Sequence, residues 1–132
     1  MAERPDLAAY LARAAARPFR WRQDDCCTFA AGWAEELTGQ PVADFVPHYD
    51  ESEVSCRQML WAFGGIVSVA EAALEDAGML PQIVPHAGDI GVIEAAGVQV
   101  MAIRTESGWV CRLEHGLSRP RDAVALAIWG VR

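Results

Sequence analysis

GDIGVIEAAGVQVMAIRT, residues 88 to 105, is where the hydrophobic pattern of the chain changes period. Upstream, apolar residues recur every three or four positions. From Asp89 onward the apolar runs are short and rich in Val and Ile. The segments GDIGVIEA (88–95), VQVMAIRT (98–105), GWVCRLE (108–114) and AVALAIWGV (123–131) are separated by the turn signals Ala96-Gly97, Ser107-Gly108 and Arg119-Pro120. They predict three or four antiparallel strands. Helices first and a sheet second give an α+β class, with the helices packed on one face of an antiparallel sheet. The expectation is one domain over 1–132, helical over about 6–78 and sheet over about 88–131.

Leu7, Tyr10, Leu11 and Ala14 share one helical face behind Pro5-Asp6, and Pro18 ends that first helix. In PFRWRQ (18–23), Phe19 and Trp21 alternate with Arg20 and Arg22, the pattern of an extended connection. DDCCTFAAGWAEELTG (24–39) opens the second helix. Asp24 or Asp25 can accept from the free N–H groups of its first turn, and Gly39 suits a left-handed C-cap. Cys26, Phe29, Ala30, Trp33 and Leu37 fall on one face, the face expected to be buried; Cys27, Ala31 and Ala34 lie on a flanking stripe. QPVADFVPHYD (40–50) reads as a loop. Asp50 with Glu53 opens a third helix through Ala62, which Gly64-Gly65 breaks. Ser68 with Glu71 opens a fourth, ended by Gly78. LPQIVPHAGD (80–89) is an irregular lead-in to the sheet.

The bulk numbers narrow the function. A chain of 132 residues can bury roughly two thirds of its unfolded surface without disulfide staples. Hydrophobic residues at 52% and charged residues at 22% argue against disorder. The net charge is −7, and all 11 basic residues are arginine. An acidic chain without a basic stripe makes a poor nucleic-acid ligand and a weak membrane-surface binder. The N-terminal MAERPDLAAYLARAAARP has no continuous apolar core of a signal peptide, and no apolar run spans a bilayer. Synthesis in a cytoplasm is expected, with Cys26, Cys27, Cys56 and Cys111 reduced. No CxxC pair suggests structural zinc, and no cofactor is expected.

The candidate chemistry centres on Cys26. The N-terminal dipole of a helix stabilises a thiolate, and a thiolate is the nucleophile. Buried cysteine is equally a small apolar filler, and two aspartates beside it oppose the charged form. A nucleophile also needs a base within hydrogen-bond reach. The histidines are His48 in the proline-flanked loop, His86 before the first strand and His115 after the third. His86 and His115 are the better-placed bases. Asp24 and Asp25 read first as helix caps, and Glu35 and Glu36 as a solvated face. Of Trp21, Trp33, Trp61, Trp109 and Trp129, most should be core, with one or two exposed at an interface. Gly64-Gly65 has no phosphate-loop context.

Asp25-Cys26-Cys27-Thr28-Phe29-Ala30 resembles the Asp-Cys-Ser-Gly-Phe-Val signature that opens the catalytic helix of NlpC-type cell-wall peptidases, a papain-like cysteine peptidase superfamily. Pro85 to Ile93 resembles that family's Pro-Gly-Asp-Leu strand, with an insertion near the proline. More narrowly, Trp21, Asp25-Cys26-Cys27, Phe29-Ala30, Trp33, Thr38-Gly39, Gly64-Gly65, Gly88-Asp89-Ile90 and Trp129-Gly130-Val131 resemble a small family of tailed phages, prophages and gene transfer agents, encoded among tail-tip genes. The resemblance implies a papain-like fold with Cys26 in the nucleophile's position. It also implies a histidine base at the start of the strand after the Gly-Asp strand. Val98-Gln99 stands there instead, with Gln99 at the family's histidine position. A neutral amide cannot take a thiol proton near pH 7.

Two functions follow from the resemblance. The first is a structural or assembly component of a phage-like tail tip or baseplate, with an incomplete catalytic dyad. It would be made in a bacterial cytoplasm, assembled into the virion tail, and partnered by other hub or tip proteins, with no nucleic acid and no membrane insertion. The second is an active cysteine peptidase or amidase acting on peptidoglycan during tail penetration, with Cys26 as nucleophile and His115 or His86 as base.

Overall fold

The computed structural model describes residues 4–132. Helices α1 (Leu7–Ala16), α2 (Cys26–Thr38), α3 (Val42–Phe45), α4 (Glu53–Ala62) and α5 (Ile66–Asp76) precede strands β1 (Leu80–Gln82), β2 (Ile90–Ala95), β3 (Val98–Arg104), β4 (Trp109–Leu113), β5 (Gly116–Ser118) and β6 (Val124–Gly130). The six strands form one antiparallel sheet in the order β1-β6-β2-β3-β4-β5. The class is α+β. Among the described residues no helix is long and apolar enough to cross a membrane.

Local chemistry sets most boundaries. Asp6 caps α1 by accepting from the Ala9 amide at 3.2 Å. Asp25 caps α2 in a reciprocal box with Thr28, and Gly39 closes it at φ 72°. Between β2 and β3 the two-residue turn needs left-handed backbone at both positions, which Ala96 (φ 52°) and Gly97 (φ 77°) supply. That turn pairs Ala95 with Val98 and sets the register of the hairpin.

Several expectations need correction. The loop 40–50 contains the short α3 behind Pro41. The N-cap of α4 is Ser52, whose hydroxyl accepts from the Ser55 amide at 3.1 Å; Asp50 instead donates its amide to the Ser55 hydroxyl. Helix α5 begins at Ile66, behind Gly64 and Gly65 at φ 90° and 103°, so Ser68 and Glu71 lie inside it. The lead-in at 80–89 holds β1, an edge strand paired with β6, and β5 adds a second short strand beyond β4. The connection at 18–23 is not extended throughout: a turn covers 21–23, and Arg22 is left-handed at φ 71°.

The main core lies between the helices and one face of the sheet. It gathers Tyr10, Phe29, Trp33, Leu74, Val92 and Ile103. Trp33 is fully buried and donates its indole N–H to the Gly88 carbonyl at 2.8 Å, joining α2 to the turn that starts β2. Trp129 donates to Glu75 at 3.1 Å and joins β6 to α5. A smaller core on the other face gathers Ile93, Ala102, Trp109, Cys111 and Ile128. Gly91 lies beneath Trp109, where a Cβ would fall 2.7 Å from the indole. Of the five tryptophans, Trp33, Trp109 and Trp129 are buried, Trp21 is half-buried, and Trp61 is 87% exposed.

Candidate functional site

The first turn of α2 carries the cysteine pair, and its geometry is governed by Asp25. This carboxylate is 1% exposed. One oxygen accepts from the Thr28 amide at 2.9 Å and the Thr28 hydroxyl at 3.0 Å. The other accepts from the Arg22 amide at 2.7 Å and the Tyr49 hydroxyl at 2.5 Å. Four donors offset the cost of burying a charge. Arg22 holds a left-handed backbone, φ 71°, where its amide meets Asp25, a conformation that costs about 1–2 kcal/mol. Burial, then the Asp25 charge, push the Tyr49 hydroxyl far above its ordinary pKa, so Tyr49 stays a donor.

Cys26 is the first residue of α2 and is half-buried against the main core, whereas Cys27 is buried. The face expected to be buried is buried at Phe29, Ala30 and Trp33, but Cys26 itself is only half-buried; α2 is covered on more than one side, and Cys27, Ala31 and Ala34 are core as well. Hydrogen bonding to the Cys26 and Cys56 thiols, followed by burial, holds the Cys27 thiol well above its ordinary pKa. A thiol kept protonated and enclosed is a packing group. Burial likewise raises Cys111 to about 11. All four cysteines are free thiols. Among the described residues no group of three or more His, Cys, Asp or Glu is placed to hold a metal ion.

Cys27 also lines a cleft of about 200 Å³, walled by Arg22, Thr28, Asp44, Val46 and Tyr49. On its other side is a small apolar gap of about 20 Å³ against α5 and Met101.

Among the described residues no histidine lines this cleft. His48 contacts the Arg22 guanidinium through Nδ1, and its Nε2 is 3.4 Å from the Asp50 carboxylate. His86 is exposed before β2, with its backbone amide donating to Asp89 at 2.8 Å. His115 is exposed in the two-residue turn between β4 and β5. Among the described residues no histidine nitrogen hydrogen-bonds a cysteine sulfur. Gln99 pairs with Glu94 near the turn end of the β2–β3 hairpin and is exposed. Strand alternation puts it on the sheet face of Met101 and Ile103, the face turned to the helices.

Two further clusters were not legible in the sequence. Asp89, 3% exposed, takes both Arg132 guanidinium nitrogens, at 2.5 and 2.8 Å, and the His86 amide. Arg112, also 3% exposed, donates to the Ala14 and Arg17 carbonyls and so satisfies the C-terminal end of α1, while its Nε has no partner. The contacts of Asp89 with Arg132 and of Arg112 with α1 span 43 and 95–98 residues, beyond any local motif.

A family model described as a domain of unknown function (DUF6950) matches residues 2–131, and the chain belongs to that family. No curated protein and no solved structure gives a significant match.

Proposed function

For this member of the family we propose the role of a structural or assembly component of a phage-like tail tip or baseplate, on an NlpC-type papain-like scaffold with an incomplete catalytic dyad. The reading starts from the motif resemblance and is supported by element order. A capped helix bearing Asp25-Cys26 precedes a strand that begins at Gly88-Asp89, and antiparallel strands follow. The observation that carries it is the absence, among the described residues, of any histidine hydrogen-bonded to a cysteine, with Gln99 standing on β3. Without a base, a thiol forgoes the ~10²–10⁴-fold contribution of general acid–base catalysis. Scaffolds of this kind are open to reuse for binding.

The proposed partners are other hub or tip proteins, met after synthesis in a bacterial cytoplasm. Trp61 and Phe63, 87% and 57% exposed at the end of α4, supply apolar surface of the kind interfaces use. The test is the protein composition of purified tail particles by mass spectrometry. The chain is expected in the particle at stoichiometric copy number; its absence from purified tails contradicts the role.

One observation favours the second reading, a peptidoglycan-cutting cysteine peptidase. Cys26 is only half-buried and sits at the positive end of α2. In that reaction the Cys26 sulfur would attack the stem-peptide carbonyl and expel the amine, and water would then release the acyl group.

A further inference from the structure

On the sheet face turned away from α2, a pocket of about 320 Å³ is lined by Arg104, Arg119 and Arg121 together with Thr105, Ser107 and Trp109. It lies where the β3–β4 hairpin meets the segment leading into β6. Ion pairs among the described residues engage Arg13, Arg17, Arg57, Arg132 and His48, and none of these three arginines. Arg104 stacks over Trp109 at 5.6 Å from the ring centroid, which orients its guanidinium without neutralising it. In a chain of net charge −7, three arginines lining one pocket with no carboxylate in that lining are not explained by the average composition. Glu106 and Asp122 are neighbours in sequence, but both are exposed and neither is among the residues lining the pocket.

The hairpin behind the pocket is firmly held. The Arg104 amide donates to the Asp89 carbonyl at 2.8 Å, and the Thr105 amide and hydroxyl donate to the Gly108 carbonyl at 2.7 and 2.9 Å. Like charges brought together raise the local potential, and an anion that enters relieves it. Guanidinium forks match tetrahedral and planar oxyanions bidentately. A carboxylate brings one negative charge to three cations, whereas a phosphate group brings about −1.5 to −2 and three acceptor oxygens.

We propose that this pocket binds a phosphate group, held by Arg104, Arg119 and Arg121 with the Ser107 hydroxyl as a further donor. The site is separate from the α2 cleft and does not depend on the tail assignment. The same chemistry could come from free phosphate or from a phosphomonoester, and titration calorimetry separates the two. The intact chain is titrated with inorganic phosphate, with a sugar phosphomonoester and with acetate, at low and moderate salt. Saturable binding of phosphate or the phosphomonoester is expected, weaker at higher salt, with acetate much weaker. Tighter binding of the phosphomonoester identifies a phosphorylated molecule as the ligand; tighter binding of phosphate identifies the free ion. The double variant Arg119→Gln/Arg121→Gln should weaken binding at least about tenfold, the scale of losing hydrogen bonds to a charged group. Arg57→Ala on α4 should leave binding unchanged. Both glutamine substitutions are at exposed positions, and the two single variants, each expected to weaken binding, repeat the test if the double variant folds poorly. No saturable binding, equal binding of acetate, or indifference to the glutamine variants overturns the proposal.

Discussion

The Tyr49 hydroxyl donates a 2.5 Å hydrogen bond to the Asp25 carboxylate, tying the segment after α3 to the helix turn that carries both vicinal cysteines. The partners lie 24 residues apart, and Asp25 is 1% exposed. This makes Asp25 a structural cap whose lone pairs are already used, not a free acid or base beside Cys26. Tyr49→Phe should lower the unfolding free energy by about 1.5–3 kcal/mol, the range for a hydrogen bond to a charged group. Asp25→Ala should cost more, because it strips the cap and leaves the Arg22 and Thr28 amides without acceptors. Urea unfolding monitored by circular dichroism measures both.

Alkaline pH should weaken the fold. Burial raises Tyr10 to about 12 and Cys111 to about 11, and raises Tyr49 still further. Each group is neutral when protonated, so above its ordinary value the unfolded chain has lost a proton that the native chain keeps. The stabilising contribution is complete below the unfolded values of 9.0 and 10.0 and is lost as pH rises through the folded values. Stability measured from pH 8 to 12 should fall progressively from about pH 9, and Tyr49→Phe should fall less steeply above pH 10. A flat profile would contradict the burial argument.

The Asp89–Arg132 pair predicts a position where nothing larger than glycine fits. A Cβ at Gly130 would stand 2.4 Å from Asp89 Oδ1 and 2.6 Å from the Arg132 guanidinium. Gly130→Ala must push the ion pair apart and should cost about 1–3 kcal/mol. Arg132→Lys should fail to restore wild-type stability, since an ammonium cannot hold both carboxylate oxygens in the same fork. Thermal melts of the two variants test this.

Thiol access should separate the four cysteines. Cys26 is half-buried, and Cys27, Cys56 and Cys111 are buried. In the native protein a thiol-labelling reagent should modify Cys26 first and the others only on unfolding. Peptide mapping after brief labelling shows the order; prior labelling of Cys27 or Cys111 would contradict it.

Sequence pattern captured the elements whose signals are local. The bounds of α2 follow from Asp25 and Gly39, and the four longer strands from Val- and Ile-rich runs between turns. It missed what depends on distant pairing. Leu80-Pro81-Gln82 is three residues long and contains proline, yet β6 recruits it as an edge strand. Ser68 and Glu71 imitate a capping box, but Gly64-Gly65 already turns the chain, and the apolar stripe of α5 begins at Ile66. The chemistry around Cys26 was legible as residue types only. That Arg22 and Tyr49 would hold the adjacent Asp25 was decided by the turn at 21–23 and the loop at 46–50, whose course no periodicity records. The arginine pocket escaped for a similar reason, since Arg104 and Arg119 line one pocket only once the β3–β4 hairpin meets the segment leading into β6.

The most direct test of the tail-component account is turnover on purified peptidoglycan, with wild-type protein and a folded Cys26→Ala variant compared for release of soluble stem-peptide fragments. The account predicts no release above buffer from either protein. Release by the wild type that disappears in Cys26→Ala would contradict it and establish the thiol as a nucleophile.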